Sequence, residues 1–194
     1  MNAKKILILG STGSIGKSAC NCVRRFRENF TVTGVGAGSN ADLLAEQIKE
    51  FSPKHVYIAD SQKADILKEQ FGSKISIYKG KEGLERIVEE ADYDILLNVA
   101  SWADARASVW RMLIHARAIE NLAYCVGVNR IGTDGEGYTY RGDSMVVDPK
   151  GTAIAMANPN EEQTIFVQLK KSSLNEFRKK FSVGAVWDSF EIKL

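Results

Sequence analysis

With 194 residues, 44% hydrophobic and 26% charged, the chain can fill one large domain or two small ones, and its balance is that of an ordinary soluble protein. A net charge of +2, with Lys and Arg scattered among Asp and Glu, excludes a nucleic-acid footprint. The N-terminal apolar run, Ile6–Leu9, is too short for a signal peptide or a membrane span, so neither nucleic acid nor membrane is an expected partner.

That run reads instead as a short buried parallel strand ending at Gly10. Ile15–Phe26 has helical character, Thr31–Gly36 reads as a second strand, and Ala41–Phe51 as a helix that Pro53 stops. His55–Ala59 follows as a strand, Ser61–Phe71 as a helix, Ile75–Tyr78 as a strand, Lys81–Ala91 as a helix and Tyr93–Ala100 as a further apolar strand. Strands alternating with helices predict an α/β fold with a parallel sheet and right-handed crossovers. Cys20 and Cys22 are two apart on a helix and point in different directions. With Cys125 they make an odd count, so a reduced cytoplasmic protein is expected rather than a disulfide framework.

Beyond residue 100 the texture changes. Ala103–Asn121 reads as a longer helix with Val109, Leu113, Ala116 and Ile119 on one stripe. Tyr124–Asn129 is a strand, Thr133–Gly137 a glycine-rich turn, and Tyr138–Tyr140 and Asp143–Val147 are further strands. The turn residues Asp148-Pro149-Lys150-Gly151 predict a hairpin of Met145–Val147 with Ala153–Met156. Thr164–Leu169 reads as a last strand and Ser172–Phe181 as a last helix capped by Ser172 or Ser173. Residues 1–98 are thus expected to form a Rossmann-like unit, and residues 99–194 a second unit of helix and β-meander that continues its sheet.

The sharpest motif is Gly10-Ser11-Thr12-Gly13-Ser14-Ile15-Gly16, between a strand and a helix. Gly10 lets the chain leave the strand in a tight turn, Gly13 lets the backbone approach a pyrophosphate, and Gly16 lets the helix pack closely on the strand. Free amides at the helix start, with the helix dipole, then favour an anion. A tight turn without a ligand is the alternative reading. An NAD site places an acidic residue after the second strand to hold the ribose hydroxyls. Here that segment is Gly36-Ala37-Gly38-Ser39-Asn40, with no carboxylate before Asp42. A neutral, donor-rich loop favours the 2′-phosphate of NADPH over NADH, although the loop itself lacks a cation.

Lys5–Gly16 (KILILGSTGSIG), Thr31–Asn40 (TVTGVGAGSN), Phe51-Ser52-Pro53 and Tyr93-Asp94-Ile95 make residues 1–98 resemble the NADPH-binding domain of 1-deoxy-D-xylulose 5-phosphate reductoisomerase. The resemblance implies cofactor contacts at Thr12, Gly13, Ser14, Ile15, Gly38, Ser39 and Asn40. It also exposes an absence: no Lys-Glu-Ser segment or metal-binding carboxylates follow Asn98, so neither bound metal nor reductoisomerase activity is expected.

Residues 93–194 resemble the C-terminal part of a carbon–nitrogen hydrolase of the nitrilase superfamily, near the omega-amidases. The matching segments are Tyr93–Trp102 (YDILLNVASW), Ala116–Asn121 (ARAIEN), Val126–Gly132 (VGVNRIG), Asp134–Gly137, Gly142–Gly151 (GDSMVVDPKG) and Trp187–Phe190. That family uses a Glu-Lys-Cys triad, with a thiolate attacking the amide carbon. All three precede the matched segment, and where the nucleophile would stand this chain has Glu89-Glu90-Ala91-Asp92. Cys125 lies in an apolar strand and reads as core. Amidase activity is therefore not expected. The resemblance does imply pairing of helices, hence a homodimer, through residues 103–121.

His55 and His115 have no carboxylate or cysteine at ligand spacing and read as surface or packing residues. Arg117 and Glu120 are set to pair with each other or with Arg130, Trp102 and Trp110 read as core or interface rather than pocket lining, and Arg178-Lys179-Lys180 reads as a solvated helix end. Three functions stand as expectations: an NADP(H)-binding chimera without complete catalytic machinery, an oxidoreductase with a new site at Ser101, Trp102 and Asp104, or a scaffold without a ligand.

Overall fold

The protein, described by a computed structural model over residues 3–181, opens with β1 (Lys4–Leu9), α1 (Ser14–Arg25), β2 (Phe30–Ala37), α2 (Ala41–Phe51), β3 (His55–Ile58) and α3 (Ser61–Phe71). β4 (Ser76–Lys79), α4 (Gly80–Glu90) and β5 (Ile95–Ala100) come next. The second half adds α5 (Ala107–Glu120), β6 (Tyr124–Asn129), β7 (Ile131–Thr133), β8 (Thr139–Arg141), β9 (Met145–Val147), β10 (Ala153–Met156) and α6 (Lys171–Lys180).

Eight of these strands form one sheet in the order β10-β9-β6-β5-β1-β2-β3-β4. From β6 to β4 all neighbours are parallel, and β9 and β10 close the other edge antiparallel. β7 and β8 pair as a separate ribbon. The sheet therefore runs without a break from the first half into the second. Its pivot is β5, which pairs with β1 through Ile95–Asn98 and with β6 along its whole length, Ile95–Ala100.

Side chains alternate across the strands and sort the core into two layers. Ile6, Ile8 and Ile95 face one layer with Val23 of α1, Leu44 and Ile48 of α2, Leu67 of α3 and Leu174 of α6. Leu7, Leu96, Cys125 and Met145 face the other with Ile87 and Val88 of α4 and Trp110, Ile114 and Ala118 of α5. The helices change layer where the chain reverses direction. From β1 the strands add outward to β4, then α4 carries the chain back to β5 on the far side of β1. With a fixed crossover hand, growth in the opposite direction puts α4 and α5 on the opposite face.

Five expectations differ from what the chain does. Thr164–Leu169 forms no strand: Phe166 is 91% exposed, and only Leu169 packs against the core. Strand propensity expresses fit to a pleated, half-buried surface, and this segment finds none. On α5 the buried stripe is Ala107, Trp110, Ile114 and Ala118, while Leu113 and Ile119 are exposed. Two apolar stripes compete on that helix, and the one carrying the large indole of Trp110 takes the core. Asp104–Arg106 forms a separate 3-10 turn before it. Ser172 and Ser173 lie inside the first turn of α6, whose N-cap is Lys170 with no side-chain capping bond. Tyr124 Oη holds that end by donating to the Lys170 carbonyl oxygen at 3.2 Å.

Arg178 is not a solvated helix end. Its guanidinium donates to the carbonyls of Leu122 and Tyr93, both at 2.8 Å, and lies 3.5 Å from the carboxylate of Asp94. Asp94, 3% exposed, also accepts from the Lys5 amide at 3.0 Å and from Lys171 Nζ at 2.7 Å. A buried carboxylate shared by two cations thus straps α6, from the second half, to the base of β1 and β5. Removing one member of such a buried cluster is far costlier than its net contribution, because the others lose their partner. The segment Trp187–Phe190 lies outside the described residues.

Candidate functional site

The strand order reverses between β1 and β5, and in open α/β sheets the crevice outside the carboxyl ends of such strands is where ligands bind. The glycine loop occupies that crevice. Gly10 leaves β1 at φ +81°, and the amides of Gly10 and Ser11 both donate to the Gly36 carbonyl oxygen, at 2.9 and 2.8 Å. The loop is thereby fastened to the end of β2. Gly16 is the point of closest packing: a Cβ built there would overlap the Gly10 carbonyl oxygen and lie 2.7 Å from Ser11 Cα.

The N-terminus of α1 differs from those of its neighbours. Asn40 caps α2 by accepting from the Leu43 amide, and Asp60 caps α3 by accepting from the amides of Gln62 and Lys63. Gly13, the N-cap of α1, brings no side chain, and the first turn carries no acidic residue. Among the described residues the amides of Thr12, Ser14, Ile15 and Gly16 meet no acceptor. Those amides and an unneutralised helix dipole are the donor set an anion requires. A pyrophosphate fits them on that chemistry.

Gly10, Thr12, Gly13, Ser14, Ile15, Gly16, Gly38, Ser39 and Asn40 line one hollow of about 350 Å³, with Val99, Ala100 and Ser101 of the β5 end as its third wall. All nine residues predicted from the sequence are brought together there. A second recess of about 480 Å³ adjoins it through Gly10, Gly38 and Val99 and has apolar walls from Leu9, Tyr57 and Leu96. A larger hollow of about 780 Å³ opens between α4 and α5 at the other end of the sheet, where Tyr93 and Leu122 precede their strands. It shares Glu85, Val88 and Arg117 with the second recess but no residue with the hollow at the glycine loop.

Two residues that sequence reasoning passed over complete the site. Gln47 of α2 is 2% exposed, accepts from Ser11 Oγ at 2.6 Å and donates to the Ser11 carbonyl oxygen at 2.9 Å. It fixes the loop's second residue from below. The signal was present: a glutamine between Leu44 and Ile48 interrupts the apolar stripe of an amphipathic helix. Gln47→Leu leaves the buried Ser11 carbonyl unpaired, and we expect a loss of about 1–3 kcal/mol of stability in a denaturant titration. The other is Lys63, whose Nζ donates to the Ser39 carbonyl oxygen at 2.6 Å.

At the junction, Ser101 faces the hollow but Trp102 and Asp104 are engaged elsewhere. Trp102 Nε1 donates to the Arg106 carbonyl at 2.7 Å, and its backbone is held on both sides by the Asn129 amide. Asp104 lies 3.6 Å from Arg141, which is also 3.4 Å from the buried carboxylate of Asp143. The three residues expected to form a junction site are therefore not assembled around one point.

Cys125 is fully buried in β6, and burial pushes its thiol up to about 12, the reverse of an activated nucleophile. His55 Nδ1 is 2.9 Å from Tyr78 Oη, which donates to Glu90, and His115 Nδ1 donates to the Gly151 carbonyl at 2.8 Å. Both are packing residues, and Arg117 pairs with Glu120. Among the described residues no group of three or more His, Cys, Asp or Glu side chains is placed to hold a metal ion. Nor, among the described residues, is any helix long and apolar enough to cross a membrane.

Comparison with known proteins matches two families to overlapping parts of the chain. The family model for 1-deoxy-D-xylulose 5-phosphate reductoisomerase matches residues 6–108, and that for carbon–nitrogen hydrolase matches residues 82–179. The chain is 45% identical over 101 residues to the omega-amidase YafV of Escherichia coli, a match covering 52% of this chain and 40% of that protein. It is 45% identical over 86 residues to the reductoisomerase of a Thermoanaerobacter species, covering 44% of this chain and 22% of that protein. It thus spans less than half the length of either relative. The solved reductoisomerase of Zymomonas mobilis in complex with NADPH shares the fold, with a TM-score of 0.53 at 21% identity over 66% of this chain and 39% of that one.

Proposed function

Because the chain belongs to the 1-deoxy-D-xylulose 5-phosphate reductoisomerase family through residues 6–108 and to the carbon–nitrogen hydrolase family through residues 82–179, we propose that it is an NADP(H)-binding chimera without a complete catalytic set. The observation that carries this reading is the unmet amide cluster at Thr12–Gly16, facing Gly38–Asn40 across one hollow.

In this reading the amides of Thr12, Ser14, Ile15 and Gly16 bind the pyrophosphate, with Gly13 leaving room for its approach. Ser39 and Asn40 hold the adenosine ribose and its 2′-phosphate. Val99–Ser101, at the end of β5, border the nicotinamide end of the cleft. When bound, the cofactor supplies a hydride. Among the described residues none is placed to deliver that hydride's acceptor: the Lys-Glu-Ser segment is absent from the sequence, Trp102 is hydrogen-bonded to Arg106, and Asp104 is ion-paired with Arg141. On the amidase side, Glu89-Glu90-Ala91-Asp92 stands where a nucleophile is needed.

The test is separate titration with NADPH and NADH, following the fluorescence of the reduced nicotinamide. We expect saturable binding of NADPH, at least about tenfold tighter than NADH. No NADPH is consumed with 1-deoxy-D-xylulose 5-phosphate, and no ammonia is released from small amides. A folded chain that binds neither nucleotide, or that turns over either substrate, refutes the proposal.

A further inference from the structure

The loop that ends β2 has no cationic side chain, yet an ammonium reaches it from elsewhere in the chain. Lys63 lies 24 residues beyond Ser39, in the first turn of α3, and its Nζ donates to the Ser39 carbonyl oxygen at 2.6 Å. That is an adverse place for a lysine, because the first turn is the positive end of the helix dipole. Asp60 caps α3 through backbone amides, including that of Lys63 at 3.2 Å. Among the described residues, however, no carboxylate lies within ion-pairing distance of the Lys63 ammonium.

The ammonium carries three N–H donors, and the bond to Ser39 uses one. Ser39 and its neighbours Gly38 and Asn40 wall the same hollow as the anion-binding loop. In dinucleotide sites the end of this strand reads the ribose 2′ position: a carboxylate there selects the hydroxyl, and a cation accommodates the phosphate. Here the carboxylate is missing and a cation without a carboxylate partner stands at the loop. Resting on the NADP(H) reading above, we infer that Lys63 is the specificity-determining residue that selects a 2′-phosphorylated dinucleotide. Its ammonium pairs with the 2′-phosphate across Ser39, and it contributes nothing to binding a ribose hydroxyl. The pair is exposed, so salt screens it.

The experiment measures NADPH and NADH dissociation constants for the full chain and for Lys63→Met and Lys63→Arg, with thermal melts to establish folding. Lys63→Met is expected to weaken NADPH by about tenfold or more and leave NADH within about twofold. It also flattens the salt dependence of NADPH binding. Lys63→Arg keeps the preference, since the charge remains. A Lys63→Met protein that retains the native preference for NADPH overturns the inference and leaves the site reading intact. A native chain that binds both nucleotides equally overturns it in the same way. Binding of neither by the native chain removes the site reading, and the inference with it.

Discussion

Gly16→Ala is expected to destabilise the fold by at least about 3 kcal/mol, a fall in melting temperature on the order of 10 °C for a chain of this size. The added Cβ meets backbone rather than a movable side chain. It would overlap the Gly10 carbonyl oxygen and sit 2.7 Å from both Ser11 Cα and the Ser11 carbonyl carbon. Neither atom can turn aside, because the amides of Gly10 and Ser11 are both tied to the Gly36 carbonyl and Ser11 is fully buried. Relief requires α1 to lift from the sheet, which opens the core around Cys20 and Val23. Gly38→Ala is the matched control. A Cβ there meets nothing within 4 Å, so its melting temperature should stay at the native value. Thermal denaturation of the two variants side by side checks the prediction.

Gly13→Asp should separate folding from binding, because the two effects have opposite signs. Gly13 is the N-cap of α1 with φ −72° and ψ 171°, a backbone conformation any residue adopts, and a Cβ there meets only the Gly10 carbonyl oxygen at an acceptable 3.4 Å. Aspartate is a better N-cap than glycine by a few tenths of a kcal/mol, and its charge suits the helix dipole by a further ~0.3–1 kcal/mol. The variant should therefore melt at or slightly above the native temperature. The same carboxylate claims the amides a phosphate needs and repels it. Like charges about 4 Å apart cost on the order of 4 kcal/mol near a protein surface, so NADPH affinity should fall by at least about a hundredfold. A melt together with a titration reads both signs.

Much of this was legible because short-range physics dominates the first half. The helices Ala41–Phe51 and Ser61–Phe71 occur with the bounds read from the sequence, since apolar periodicity, an Asn40 or Asp60 cap and the break at Pro53 all agree. The glycine loop was legible because its three glycines answer separate steric demands at fixed spacing. The less local features were not. Lys63 reaches Ser39 only because β2 and β3 are neighbours in the sheet, and Arg178 finds Asp94 only after α6 folds back across the base. Thr164–Leu169 had the composition of a strand, but it pairs with neither edge strand of the sheet, β10 or β4. On α5 two stripes had equal claims, and only the bulk of Trp110 against β9 decided between them.

The place where the two families meet also has a physical reason. β5 is central and parallel on both sides, pairing with β1 and β6, so its apolar residues suit a buried strand in either parent sheet. The overlap of the two family matches, residues 82–108, contains that strand and all but the first two residues of the helix before it. A crossover there keeps the hydrogen-bond ladder and exchanges only the elements C-terminal to it.

The most direct measurement of the central claim is a crystal structure of the protein grown with NADPH. Pyrophosphate density is expected against the amides of Thr12, Ser14, Ile15 and Gly16, with the 2′-phosphate beside Ser39 and Lys63. A well-ordered loop in which those amides are met by protein atoms or by solvent alone, at saturating nucleotide, would contradict it.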